Sequence, residues 1–191
     1  MTQPRLICII GAESTGKTTL ARLLAAHFDS PWVPEYLREF CALHDRTPQR
    51  EEQAQIIEVQ QQSVQAAQQA ASEEGAPFVF CDTAPLLTAI YSELIFGDAS
   101  LYARARTLHG RYALTLLLAP DIAWVADGLQ RDGEQVRGPV TQLIQRELAA
   151  MTQPVARVAG QGEARLQTAI EAVKALVGVH NQSPAVIAGP P

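Results

Sequence analysis

The chain has 191 residues, of which 47% are hydrophobic and 18% charged, and its formal net charge is −5. That length and apolar content suit one folded unit with a sizeable core and exclude wholesale disorder. The acidic balance, with no Lys/Arg run, argues against a nucleic-acid-binding surface, and no apolar run is long enough to span a membrane.

The first element is an apolar run, Leu6–Ile10, which reads as a buried strand. Directly after it stand Gly11-Ala12-Glu13-Ser14-Thr15-Gly16-Lys17-Thr18, matching the pattern G-x-x-x-x-G-K-[ST]. A helical pattern follows from Thr19 to Phe28, with Leu20, Leu23 and Leu24 on one face. A second short strand is expected over Pro31–Pro34 and leads into Glu35-Tyr36-Leu37-Arg38-Glu39-Phe40. A long helix is expected from Pro48 to about Ser72. Thr47 suits its N-cap, Pro48 its first position, and Glu51 and Glu52 the positive end of its dipole. Its expected apolar stripe is Ile56, Val59, Ser63, Ala66, Ala67 and Ala70; the Gln-rich remainder reads as a solvated face, with a substrate-facing helix carrying one or two functional Gln residues as the alternative. Further strands are expected over Phe78–Cys81, Ala113–Leu118 and Val155–Val158. The segment from Pro120 to Pro139 is rich in Asp, Gly and Arg and suits a small mobile lid over phosphates. Residues 1–181 then form one domain, with 182–191 a flexible tail.

Strands alternating with helices imply an α/β fold with a parallel sheet covered on both faces. Cys8, Cys41 and Cys81 are odd in number and lack metal-ligand spacing, which fits a reducing compartment. The first residues lack signal-peptide architecture, so a cytoplasmic location is expected.

The chemistry concentrates where a parallel sheet binds ligands, beyond the carboxyl ends of its strands. The backbone N–H groups of the Gly-rich turn and of the helix behind it converge on one spot and favour negative charge there. Gly11, Glu13, Ser14, Thr15, Gly16, Lys17, Thr18 and Thr19 are therefore the expected nucleotide-binding residues. Lys17 would reach the β- and γ-phosphates and Thr18 would hold Mg²⁺. Lys17 and Lys174 are the only lysines. Asp82 ends an apolar strand and is the expected Mg²⁺-associated carboxylate. Glu35 ends another and could orient or deprotonate an acceptor hydroxyl. Arg131 and Arg137 are lid cations suited to charge on a transferring phosphoryl group. Trp124 is either a core side chain or a flat platform for an aromatic or cationic ring.

These segments together resemble the NadR-type nicotinamide riboside kinase domain, and the resemblance spans most of the chain. Gly11 to Thr19 resembles its phosphate loop, Val33 to Phe40 its VPEYAREY segment, and Pro120 to Leu129 its PDIPWVxDGLR segment. Asp82-Thr83 with Thr88, Tyr91 and Phe96-Gly97 is similar to its DTD…T…Y…FG helix. The resemblance implies a P-loop kinase-like three-layer sandwich with a five-stranded parallel sheet. It also implies ATP-dependent phosphorylation of the ribose 5′-hydroxyl of nicotinamide riboside, giving nicotinamide mononucleotide, with Mg²⁺. It places Glu35, Tyr36, Arg38, Asp82, Trp124 and Asp127 around the acceptor, and Gly160 and Arg165 near an adenine.

Three departures stand out: Ala84 where the family has a second Asp, Gln130 with Arg displaced to Arg131, and no adenylyltransferase or DNA-binding domain ahead of the kinase segment. The third implies an activity that stops at the mononucleotide. The alternatives are a P-loop kinase for another nucleoside or small hydroxyl substrate, and an ATP-binding regulatory module. A GTPase switch is disfavoured because no N-K-x-D motif occurs, and an AAA+ motor because the chain is short.

Overall fold

The computed structural model describes residues 3–125 and 133–178. The middle of the expected lid and the expected tail lie outside the described residues.

Five parallel strands form one sheet: β1 (Arg5–Ile10), β2 (Trp32–Val33), β3 (Phe78–Asp82), β4 (Leu114–Leu118) and β5 (Val155–Val158), in the order β2-β3-β1-β4-β5. The helices between them are α1 (Lys17–His27), α2 (Tyr36–His44), α3 (Gln53–Glu74), α4 (Pro85–Phe96), α5 (Tyr102–His109), α6 (Arg137–Ala149) and α7 (Gly162–Gly178).

The strand sequences are almost continuously apolar because both sheet faces are covered. Alternation along β1 and β3 assigns the faces. Leu6, Cys8, Ile10, Val79 and Cys81 pack with Val64 and Ala71 of α3, Leu86 and Ile90 of α4, Ala105 of α5 and Val140 and Ile144 of α6. Ile7, Ile9, Phe78 and Phe80 pack on the other face with Leu20 and Leu24 of α1 and Ile170 and Val173 of α7. The result is the three-layer P-loop kinase-like sandwich. Because β1 and β3 are neighbours, with Ile9 beside Asp82, the loop leaving β1 and the carboxylate ending β3 meet at one sheet edge.

Two expectations need correction. The expected strand over Pro31–Pro34 shrinks to Trp32–Val33, since proline at each end supplies no N–H to the ladder. The long helix begins at Gln53, after a 3-10 turn over Arg50–Glu52, and not at Pro48. Glu52 reaches back to the Gln49 N–H at 2.8 Å and pairs with Arg46, so the start of the element is organised by Glu52 and not by Thr47.

The stripe on α3 is also displaced. Ile56 is buried and Ala67 packs against the core, but Ser63, Ala66 and Ala70 are exposed. The buried positions are Gln53, Ile56, Ile57, Gln60, Gln61, Val64 and Ala71. Three of them are glutamines, so a reading that looks for apolar side chains selects the neighbouring alanines instead.

Candidate active site

The loop after β1 folds as a cradle for technical reasons visible residue by residue. A Cβ on Gly11 would lie 2.7 Å from Thr15 Oγ1 and 3.1 Å from Leu118 O, so only glycine fits. Gly16, the N-cap of α1, has φ 80°, a left-handed conformation that glycine adopts without strain. Thr15 is fully buried and donates to Ala12 O at 2.8 Å, closing the turn. Thr19 is exposed at the first turn of α1. Lys17 is 9% exposed. Its ammonium donates to Gly11 O at 3.2 Å and Ala12 O at 3.1 Å, holding a positive charge inside the loop.

Asp82 is 1% exposed, at the end of β3. Thr18 Oγ1 donates to its Oδ2 at 2.5 Å, while Oδ1 is buried with no hydrogen-bond partner among the described residues. A hydroxyl beside a carboxylate with a spare buried oxygen is a donor set that fits a hard divalent cation, which needs few protein ligands when phosphate and water supply the rest. Burial raises the Asp82 pKa, against the lowering influence of the Thr18 hydrogen bond and the Lys17 charge. Next along the chain, Thr83 is held at φ 78°, which a β-branched residue rarely adopts, with its N–H on Ile9 O at 3.0 Å.

Glu35 occupies the N-cap position of α2, yet its side chain makes no capping hydrogen bond. It lies 3.5 Å from Arg38, and only 11% of the side chain is exposed. Burial raises its pKa; the Lys17 charge opposes that and the Asp82 charge adds to it. A carboxylate moved toward neutrality beside a lysine suits proton transfer.

Glu35, Arg38, Lys17, Glu13 and Ser14 share one cavity of about 500 Å³. Its remaining walls come from Leu37, the segment Arg46–Gln49, Gln53 and Ile56, and Leu87, Thr88, Tyr91, Ile95 and Phe96 of α4. The cavity therefore begins at the phosphate loop and runs between α2, α3 and α4. Tyr91 donates to Glu13 Oε1 at 3.4 Å, linking α4 to the loop. Tyr36 is half-buried and, like Asp82 and Trp124, is not a wall residue. Arg46 and Gln49 carry no signal in the sequence, whereas Gln53 and Ile56 belong to the Gln-rich helix for which a substrate-facing role was the alternative.

On the other side of the loop, Val125 docks on Ser14: the hydroxyl donates to Val125 O at 2.6 Å and accepts from its N–H at 3.3 Å. Trp124 beside it is half-buried. Arg137, expected as an open lid cation, is buried at the start of α6 and holds Ile122 O at 3.1 Å. Ile122 in turn lies over the cradle, 3.6 Å from where a Gly16 Cβ would stand. Arg131 and Asp127 lie outside the described residues.

Gly160 donates its N–H to Asp121 Oδ2 at 2.7 Å. Arg165, 6% exposed, donates to Gly160 O and Thr15 O at 2.7 Å each, to Ala119 O at 3.0 Å, and to Asp121. Its guanidinium thus braces the back of the phosphate loop. The N–H donors of Arg165 face protein acceptors, so they are not available to an adenine on this side. Among the described residues no group of three or more His, Cys, Asp or Glu side chains could hold a metal, and Cys8, Cys41 and Cys81 are buried free thiols. No helix among them is long and apolar enough to cross a membrane.

The sheet order and the loop define a P-loop protein of the kinase fold. A family model described as AAA domain matches residues 6–165. The chain belongs to this family, as a NadR-like P-loop kinase domain. It is 29% identical over 136 residues to the trifunctional NAD biosynthesis/regulator proteins NadR of Salmonella typhimurium and Escherichia coli, a match covering 69% of this chain and 32% of each of theirs. The chain thus spans about a third of the length of the curated relatives it matches. The crystal structure of a NadR protein in complex with NR superposes with a TM-score of 0.78 at 24% identity, over 92% of this chain and 50% of that one. Thymidylate kinase from Ehrlichia chaffeensis gives 0.63 at 15% identity, over 92% of this chain and all of its own. These solved neighbours share the fold of this chain.

Proposed function

We propose that the protein is an ATP- and Mg²⁺-dependent kinase that phosphorylates the ribose 5′-hydroxyl of nicotinamide riboside. The observation that carries this reading is the single cavity in which Glu35 faces Lys17 at the phosphate loop. The triphosphate lies along residues 11–18, with its charge met by backbone N–H groups and Lys17. Thr18 and Asp82 would hold Mg²⁺, which would supply positive charge against the phosphates. Glu35 accepts the proton of the acceptor hydroxyl as that oxygen bonds to the γ-phosphorus and the bond to the β-phosphate bridging oxygen breaks, releasing ADP. Arg38 steers the Glu35 carboxylate, and Tyr91 with Phe96 offers aromatic faces for a cationic ring. Trp124 provides a further face from the lid side, and Arg131 answers charge on the transferring group.

A second reading keeps the kinase and changes the acceptor. It rests on Ala84, which is buried at the N-cap of α4, where the resembling family carries a carboxylate. Chromatographic identification of the phosphorylated product, from nicotinamide riboside and from competing nucleosides each mixed with ATP and Mg²⁺, tests the proposal. Nicotinamide mononucleotide as the main product supports it; a different nucleotide, with nicotinamide riboside recovered intact, favours the second reading.

A further inference from the structure

The strand leading to Glu35 is two residues long, so almost no sheet ladder holds the backbone that carries this carboxylate. A site on such a loop is less precise than one on a strand or helix unless neighbouring groups fix it. In this protein the fixing group comes from α3. Gln60 Nε2 donates to Pro34 O at 3.1 Å, and Gln60 Oε1 accepts the Tyr36 N–H at 2.7 Å. One amide therefore binds the peptide groups on both sides of Glu35, using a donor and an acceptor together. The Tyr36 N–H belongs to the first turn of α2, where backbone donors have no partner within the helix. Gln60 satisfies that donor from outside, and the Glu35 carboxylate makes no capping bond of its own and borders the cavity. Gln60 is 5% exposed and sits beside Ile56, Ile57 and Val64, which anchor α3 in the core. The side chain itself does not line the cavity, and both polar atoms of its amide are engaged by the backbone around Glu35.

We propose that Gln60 is the positioning residue of Glu35, setting where its carboxylate meets the acceptor hydroxyl. This rests on the reading of Glu35 as proton acceptor. The peptide planes before and after Glu35 cannot rotate without breaking one of the two bonds, so the Cα–Cβ base from which the carboxylate reaches the cavity is fixed relative to α3, and Arg38 orients its end. Misplacing a reacting group by about 1 Å can cost about a hundredfold in rate.

The test is a double-mutant cycle on kcat with Gln60→Met, Glu35→Gln and the pair, assayed well below the unfolding temperature. Methionine keeps the length of the side chain and removes both hydrogen bonds. The expected result is a fall of about tenfold or more in kcat for Gln60→Met, with both KM values within about threefold of the parent. In the Glu35→Gln background the same change shifts kcat by less than about twofold, because the group it positions is gone. Should Gln60→Met yield no folded protein, Gln60→Glu, which keeps the acceptor for the Tyr36 amide, replaces it in the cycle. Parental kcat in the single variant, or equal losses in both backgrounds, overturns the proposal. A Glu35→Gln variant of parental kcat is a separate outcome: it removes the proton-acceptor reading and the proposal with it.

Discussion

Replacing Arg165 with methionine tests whether the phosphate loop is braced from behind. The guanidinium holds Thr15 O, Ala119 O, Gly160 O and Asp121, and its bonds to Thr15 O and Ala119 O are fully buried. Methionine fills much of the volume, so the loss is chiefly of hydrogen bonds. Each buried carbonyl left without a donor costs about 1–3 kcal/mol, hence about 2–6 kcal/mol for the two. A domain of this size loses about 2–4 °C of melting temperature per kcal/mol, so Arg165→Met should melt roughly 5–20 °C below the parent in a calorimetric or circular-dichroism scan. Because Thr15 O belongs to the cradle, the KM for ATP should rise severalfold as well. A melting temperature within about 2 °C of the parent, with unchanged KM for ATP, refutes the bracing argument.

Lys17→Ala should leave a cooperatively unfolding protein without detectable phosphoryl transfer, since the substitution removes the cation placed against Gly11 O and Ala12 O; near-parental turnover would remove the phosphate loop from the mechanism. Asp82→Asn should lower kcat by about a hundredfold or more, and an unchanged rate would discard Asp82 as a metal ligand. The same substitution should not lower stability in the absence of nucleotide. The folded-state pKa of Asp82 is raised, so the parent loses stability as pH climbs from the ordinary carboxylate range, about 3.9, through that raised value. Above this window Asp82→Asn should melt at or above the parent, and at lower pH the two should converge; a lower melting temperature at neutral pH would contradict the burial argument. Trp124→Ala should raise the acceptor KM while kcat is kept, and a collapse of thermal stability instead would mark Trp124 as a packing residue.

The sheet was legible because parallel strands buried on both faces spell continuous apolar runs; β5 coincides with its expected span and β1, β3 and β4 shift by one residue. The phosphate loop was legible because its glycines and lysine are required by the geometry itself. Less legible was everything that depends on polar side chains buried by tertiary contact. Gln53 and Gln60 belong to a face that reads as solvated, yet Gln53 lines the cavity and Gln60 binds the backbone around Glu35. Both are buried, so the solvated-face reading does not hold for these two. Arg137 and Arg165 read as exposed or nucleotide-facing cations because sequence does not show which carbonyls lie nearby; both are buried against backbone oxygens.

The most direct measurement is ADP release from ATP and Mg²⁺, with nicotinamide riboside set against a panel of nucleosides and sugars as acceptors. The account predicts strong stimulation by nicotinamide riboside and weak stimulation by the others, with Glu35→Gln leaving a reduced but measurable stimulation. Stimulation by another acceptor alone would contradict the substrate assignment, and ATP binding with no stimulation by any acceptor would contradict the kinase itself.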